Sequence, residues 1–106
     1  MDDEGVSRVA NAFASHVIID STGPSGALRR EATAAGVPTV TVEMGEAHRF
    51  QRSLIHRALA GTLSVLNEFG ARTDGVVSWP GWRTIIGNDY EKTWLRADVG
   101  GLVEMH

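Results

Sequence analysis

The fold of this chain is decided by residues 16–45, HVIIDSTGPSGALRREATAAGVPTVTVEMG. The β-branched run at 16–20 predicts a buried strand, which ends in turn-forming residues at 21–24. Ser25 can cap a helix that runs to Ala35, because a glycine and a proline follow and end it. Residues 37–44 alternate Val and Thr after an initial proline, and they predict a second strand.

Helical periodicity flanks this stretch on both sides. Between Glu4 and Ala14, four apolar residues recur at i, i+3, i+4 and i+7, which predicts an amphipathic helix. A loop at 45–49 leads into a longer helix from Phe50 to Phe69, ended by Gly70. Its apolar face is wide and we expect it to be largely buried; it comprises Phe50, Leu54, Ile55, Ala58, Leu59, Gly61, Leu63, Val65 and Leu66. Strand, helix, strand and helix in this order predict an α/β fold with a parallel sheet.

The composition changes after Gly70, where Gly, Trp, Val and Thr dominate. Segments 82–86 and 94–103 predict short strands of a separate β element, with a domain boundary near residues 71–80. Residues 101–106 resemble a strand with no turn after it. We therefore expect the chain to stop in the middle of a structure.

Composition excludes several classes of protein. The chain has 106 residues, 42% of them hydrophobic, and a formal net charge of -3, so it predicts a globular domain without the basic surface of a nucleic-acid-binding protein. It has no cysteine, which excludes disulfides and thiolate metal sites in this chain. The acidic N-terminus and the lack of a long apolar run predict a cytoplasmic protein that does not bind membranes.

Glu43 is the sharpest candidate for chemistry. It stands at the end of the predicted strand Thr39-Val40-Thr41-Val42, and ligands of open α/β sheets bind at the carboxyl ends of strands. A glutamate there is partly desolvated, which suits it to proton transfer near neutral pH. The alternative is an edge glutamate that is solvated or paired with an arginine.

Three segments together resemble a known family. They are Gly26-Ala27-Leu28-Arg29-Arg30-Glu31-Ala32 with the strand and turn at 36–45, the helix at 50–70, and Trp94-Leu95-Arg96-Ala97-Asp98-Val99-Gly100-Gly101-Leu102-Val103-Glu104. In order and spacing they are similar to the C-terminal portion of the succinylglutamate desuccinylase/aspartoacylase family, zinc amidohydrolases related to the carboxypeptidase fold.

The resemblance implies a domain organisation and a catalytic residue. Residues 4–70 would be the C-terminal half of a catalytic α/β domain, a βαβ half of a carboxypeptidase-like sheet. Residues 71–106 would be a linker and the start of a small C-terminal β domain. The family's general base, which activates zinc-bound water, corresponds to Glu43.

The resemblance also implies zinc in the whole protein but none bound to this chain. The family's ligands, a His and a Glu three residues apart and a later His, lie upstream of the matched region. None of the four histidines here has a Glu or His three residues away. His48 and Arg49 follow Glu43 and are candidates for binding substrate; the alternative is that they face solvent at the start of the helix.

Two functions remain open from the sequence. The first is a fragment of a zinc-dependent deacylase that cleaves an N-acyl amino acid amide or a related ester, inactive alone, with a small-molecule substrate. The second is a free-standing, non-catalytic α/β binding or scaffold module. An exposed sheet edge would permit a homodimer in either case.

Overall fold

The computed structural model of the chain describes residues 3–72, 83–87, 93 and 96–101. These ranges contain three helices and two strands: α1 (Glu4–Phe13), β1 (Val17–Ile19), α2 (Leu28–Ala34), α3 (Arg52–Glu68) and β2 (Thr84–Ile86). No helix within them has the length and hydrophobicity that a membrane crossing requires. Helices combined with a parallel strand pair are compatible with the predicted α/β class, and the carboxypeptidase-like arrangement of the sheet stays a prediction.

The helix starts differ in how they are capped. Asp3 caps α1, because its carboxylate accepts a hydrogen bond from the Val6 amide at 3.0 Å. The N-cap of α2 is Ala27, so the predicted cap at Ser25 is wrong. The Glu31 carboxylate instead reaches back and accepts from the Gly26 amide at 2.8 Å.

Both predicted glycine stops are confirmed. Gly36 and Gly70 follow α2 and α3 with φ of +85° and +73°, the left-handed region that glycine enters without steric cost. After α2, the Val37 amide donates to the Ala32 carbonyl at 2.9 Å, which satisfies a carbonyl that the helix leaves unpaired. The same arrangement follows α3, so each helix ends where its glycine stands.

The two longer helices pack against each other through a close approach at Gly61. A Cβ added there would lie 2.8 Å from the Phe13 ring, so the missing side chain makes room for the aromatic ring. At the far end of the pair, the Arg8 guanidinium donates to the Glu68 carboxylate at 2.7 Å and to the Glu68 carbonyl at 2.9 Å. Arg8 also lies over the Phe69 ring, 4.6 Å from its centroid.

The sheet consists of β1 and β2, paired in parallel with Ile18 opposite Ile85. The Thr84 amide donates to the His16 carbonyl at 2.8 Å, and the Asp20 amide to the Ile86 carbonyl at the same distance. Both α2 and α3 lie between the two strands in the chain, as a parallel connection requires. Ile18 is buried, whereas its two neighbours in β1 are exposed.

Two strand predictions need correction. Residues 37–44 form neither helix nor strand, although their Val/Thr alternation predicts a strand. The physical reason is that a strand exists only with a partner, and β1 pairs with β2 instead. The strand predicted at 82–86 exists as Thr84–Ile86, but it joins the sheet of β1 and does not begin a separate β element.

The face of α3 is less buried than its sequence predicts. Ile55, Leu59 and Leu66 are 49%, 56% and 40% exposed, and Phe50, which precedes the helix, is 96% exposed. In the described ranges α3 packs mainly on α1, so only one side of the helix is covered. The expectation of a largely buried face is therefore wrong for these residues.

The division into two domains stays a prediction. Its boundary near residues 71–80 lies mostly outside the described residues, as do parts of the segment predicted as a strand at 94–103. Those of its residues that are described, 96–101, form no strand.

Candidate functional site

A cleft of about 230 Å³ opens where three segments meet: the end of α1 with the start of β1, the loop at 42–45, and one face of α3. Its lining consists of Phe13, Ala14, Ser15, His16, Val42, Glu43, Met44, Gly45, Leu54, Arg57, Ala60, Gly61 and Ser64. This volume lies just below the roughly 300 Å³ at which typical small-molecule pockets begin. The cleft can therefore take a small molecule or part of one.

The first wall is formed where the chain reverses after α1. Ala14 has φ of +59°, in the left-handed region, and its amide donates to the Asn11 carbonyl at 3.2 Å. This tight turn leads directly into His16, whose carbonyl is held by β2. The backbone on this side of the cleft is thus fixed at both ends.

The second wall carries Glu43, and the turn after it is tied to the start of α3. Gly45 has φ of +74°, which favours glycine, and the Gln51 side-chain carbonyl accepts a hydrogen bond from the Glu46 amide at 2.9 Å. Gln51 is also the N-cap residue of α3. The loop that carries Glu43 therefore has a fixed position relative to the helix that forms the third wall.

The third wall is a stripe on α3 that contains Leu54, Arg57, Gly61 and Ser64. Residues three and four positions apart lie on the same side of a helix, so Arg57 stands in line with the others. Gly61 and Ser64 are buried, whereas Arg57 is exposed.

Glu43 lies in the cleft, but it is exposed. The expectation of a partly desolvated carboxylate is not met in the described part of the chain. The reason is structural: residues 37–44 have no strand partner there, and a carboxylate is desolvated only when neighbouring strands and loops cover it.

The two substrate-binding candidates, His48 and Arg49, lie beyond the residues that line the cleft. The Arg49 guanidinium pairs with the Glu46 carboxylate at 2.9 Å, and both side chains are well exposed. His48 has φ of +62°, so it marks a sharp turn of the loop. Their role in substrate binding stays a prediction.

A metal site is not formed by the residues that the structure describes. Among them, no three His, Cys, Asp or Glu side chains are grouped closely enough to hold an ion. Catalytic zinc takes about three protein ligands in fixed geometry. The donors present in these ranges therefore do not fit zinc by themselves.

Comparison with known protein families identifies the family of this chain. Residues 1–69 match the family model described as the succinylglutamate desuccinylase/aspartoacylase catalytic domain. The chain belongs to this family. The resemblance found in the sequence is thereby confirmed, and the family's enzymes are of the hydrolase type. No curated protein and no solved structure matches the chain.

The match places all three walls of the cleft in the catalytic domain of the desuccinylase/aspartoacylase family, since its lining residues run from Phe13 to Ser64. The similarity of residues 94–104 to that family's β domain lies outside the match and stays a prediction.

Sequence reasoning missed Arg57 and assigned His16 no role in a site. A signal for Arg57 was present, because its position three residues after Leu54 and four before Gly61 places a cation within an otherwise apolar and small-residue stripe. For His16 no local signal exists, because its place in the cleft depends on how α1, β1 and the loop at 42–45 meet.

Proposed function

We propose that this chain forms part of the active site of a zinc-dependent deacylase, which cleaves an N-acyl amino acid amide or a related ester in the cytoplasm. In this proposal Glu43 is the general base. The observation that carries it is the position of Glu43 in a small-molecule-sized cleft that lies entirely within the residues matched to the catalytic domain.

The chemistry of amide hydrolysis explains why a carboxylate is needed at this place. Water attacks the acyl carbon while a base accepts its proton, and the amine leaves after it receives a proton. A carboxylate can perform both transfers in turn. Among the described residues that line the cleft, Glu43 is the carboxylate, so it is the residue to which the proposal assigns these steps.

Zinc enters the proposal through the family and not through the residues of this cleft. Because the described residues do not fit a zinc site, the proposal places the ligands elsewhere in the protein. The 106-residue chain alone would then hydrolyse no N-acyl amino acid. When bound, zinc would supply Lewis-acid chemistry.

A second candidate is a non-catalytic binding module that keeps the cleft and has no metal. The described residues contain no group of three metal-binding side chains, and this observation favours the binding module. The two candidates differ in what Glu43 does: in a deacylase it moves a proton, and in a binding module it contacts only the ligand.

The test is the hydrolysis of a panel of N-acyl amino acids by the zinc-loaded holoenzyme and its Glu43→Gln variant. We expect kcat to fall by roughly 10²- to 10⁴-fold, the usual contribution of a general base. Zinc content, measured by atomic absorption, should stay near that of the wild type, because Glu43 is not a proposed ligand.

Glu46→Gln is the matched control. It removes the same charge three residues away, at a carboxylate that lies outside the cleft lining and pairs with the exposed Arg49. Its kcat should stay close to the wild-type value. A loss of less than about tenfold in Glu43→Gln would show that Glu43 is not the base. A wild-type holoenzyme that binds the panel but hydrolyses none of it would favour the binding module.

A further inference from the structure

We infer that Gln51 is a positioning residue for Glu43: its side-chain amide holds the turn after Glu43 against the start of α3 and so keeps the carboxylate at a fixed place in the cleft. This deepens the proposed function and rests on it for the reaction. The hold on the turn is a structural property and can be measured without hydrolysis.

The loop that carries Glu43 lacks the support that a sheet would give it. In the described part of the chain, residues 37–44 form no strand, so no ladder of backbone hydrogen bonds fixes Glu43 there. A general base must stand within hydrogen-bond reach of the water that it activates, and a misplacement of about 1 Å can cost about 10²-fold in rate. A contact other than a strand ladder therefore has to hold this carboxylate.

Gln51 is well placed to provide that contact, because α3 fixes its backbone. Its carbonyl accepts hydrogen bonds from the amides of Leu54 and Ile55, each at 3.0 Å. Although Gln51 is the N-cap residue, its side chain makes no capping bond to the helix. The side-chain amide oxygen accepts instead from the Glu46 backbone amide at 2.9 Å. This bond joins the loop to the first turn of the helix.

The glycine of the turn makes room for the Gln51 amide. A Cβ added at Gly45 would lie 2.7 Å from Oε1 of Gln51 and 3.3 Å from Cδ1 of Leu54. The amide of Gln51 therefore lies directly on the turn, two residues after Glu43. Gly45 and Leu54 both line the cleft, so a shift of the Gln51 side chain would move the cleft wall that carries Glu43.

The chain between the two bonded residues is sharply bent. His48 has φ of +62°, a backbone conformation that is unfavourable for a residue with a Cβ and that persists only where the surrounding contacts fix it. The ion pair between Arg49 and Glu46 is exposed on both sides, and such surface pairs contribute little. We therefore assign the hold on this bend to the hydrogen bond between Gln51 and the Glu46 amide.

The experiment compares the zinc-loaded holoenzyme with its Gln51→Met variant on the panel of N-acyl amino acids. Methionine has a similar length but no strong hydrogen-bond acceptor. We expect kcat to fall at least about tenfold while KM stays within about twofold, because a displaced base is missed in the transition state and not in substrate binding. Gln51→Glu keeps an acceptor of the same reach and should retain most of kcat.

A second background separates positioning from a general role in the fold. In Glu43→Gln, the further change Gln51→Met should cause no additional loss of kcat, because no base is left to position. An equal loss in both backgrounds would overturn the inference. Arg52→Met is the matched control, since it introduces the same side chain at the next position, which is exposed and outside the cleft lining. Its kcat should stay at the wild-type value.

Nuclear magnetic resonance of the 106-residue chain measures the hold itself. In Gln51→Met we expect a lower order parameter for the Glu43 amide and faster hydrogen exchange of the Glu46 amide. Arg52→Met should change neither. If both signals were unchanged in Gln51→Met, the inference would be overturned even if kcat fell.

The two proposals fail separately. If the holoenzyme hydrolyses none of the panel while Gln51→Met releases both amides, the deacylase proposal falls and the hold of Gln51 on the loop stands. If Glu43→Gln loses activity but Gln51→Met keeps the wild-type kcat, the positioning inference falls and the deacylase proposal stands.

Discussion

At the scale of single residues, the absence of a side chain at Gly61 decides how closely α1 and α3 approach. The Phe13 ring occupies the place where a Cβ would stand, with three of its carbons within 2.9 Å of that position. Contacts this short cannot be kept, so a larger residue must push the ring or the helix away. Because Gly61 and Phe13 both line the cleft, this contact also shapes the candidate site.

Gly61→Ala should therefore destabilise the chain, although alanine favours a helix over glycine by about 1 kcal/mol. Overpacking typically costs about 1–3 kcal/mol, and the clash with a ring in a packed interface belongs to the upper part of that range. We expect a net loss of about 1–2 kcal/mol in the free energy of unfolding, measured by urea denaturation.

Two variants separate the clash from the helix effect. Ser53→Ala on the exposed side of α3 should gain a few tenths of a kcal/mol from propensity alone. In a Phe13→Leu background the ring is gone, so Gly61→Ala should cost less or become favourable, a coupling that a double-mutant cycle detects. A Gly61→Ala variant that is more stable than wild type would contradict the close packing seen here.

The candidate site was only partly predictable at this scale. Glu43 could be found because a carboxylate after a β-branched run is a local pattern and because the family resemblance assigns it a role. Arg57 had a signal in the spacing of its helix face, where it is a cation within a stripe of apolar and small residues, whereas His16 had none. His16 reaches the cleft through the packing of α1 on α3 and the pairing of β1 with β2, and neither contact leaves a mark in the adjacent sequence.

At the scale of elements, Arg8 joins α1 to the end of α3 by three contacts at once: an ion pair with Glu68, a hydrogen bond to its carbonyl, and a stack on Phe69. The carbonyl lies in the last turn of α3, where the helix provides no partner. One side chain thus links two helices through residues that are 60 positions apart in the chain.

Arg8→Ala should lower the free energy of unfolding by about 1–2 kcal/mol, the sum expected for a half-exposed ion pair and a cation–π contact. Arg8→Lys should lose most of the same amount, since an ammonium group cannot hold all three contacts together. Thermal melts and urea denaturation at low and high salt would measure both variants.

Arg49→Ala is the control for Arg8. Its ion pair with Glu46 has a similar length of 2.9 Å but joins residues only three apart on an exposed loop. Such surface changes usually stay within about 0.5 kcal/mol. If Arg8→Ala cost no more than Arg49→Ala, the link between the helices would not contribute to stability.

Elements differ in how far the sequence specifies them. α1 and α3 follow from 3.6-residue periodicity and, for α3, from a glycine stop, because a helix satisfies its hydrogen bonds within itself. Residues 37–44 have strand composition but form no strand, and β2 is short yet forms one. Strands depend on a partner distant in the chain, so which of two candidates pairs with β1 is a tertiary outcome that composition does not record.

At the scale of the whole molecule, two groups of exposed apolar side chains in the described ranges lie on regular elements. One is a stripe along α3 formed by Ile55, Leu59 and Leu66. The other is the face of β1 that carries Val17 and Ile19, which are 48% and 61% exposed. A parallel sheet is normally covered on both faces. In the described ranges β1 also has only β2 as a partner, so one of its edges presents unpaired backbone groups.

These surfaces predict that the 106-residue chain self-associates. At about 25 cal/mol per Å², covering a few hundred Å² of apolar area amounts to several kcal/mol, which is comparable with the stability of a small domain. Sedimentation velocity over a concentration series should show a dimer or larger species. Ile55→Glu with Leu59→Glu should shift it toward monomer, because two charges in the stripe would have to be buried on association. Val99→Glu, at a position that is 77% exposed and belongs to neither surface, should leave the association unchanged. A monomer at every concentration, with circular dichroism showing the helices intact, would mean that these exposed surfaces are stable in water and that neither of them joins two copies of the chain.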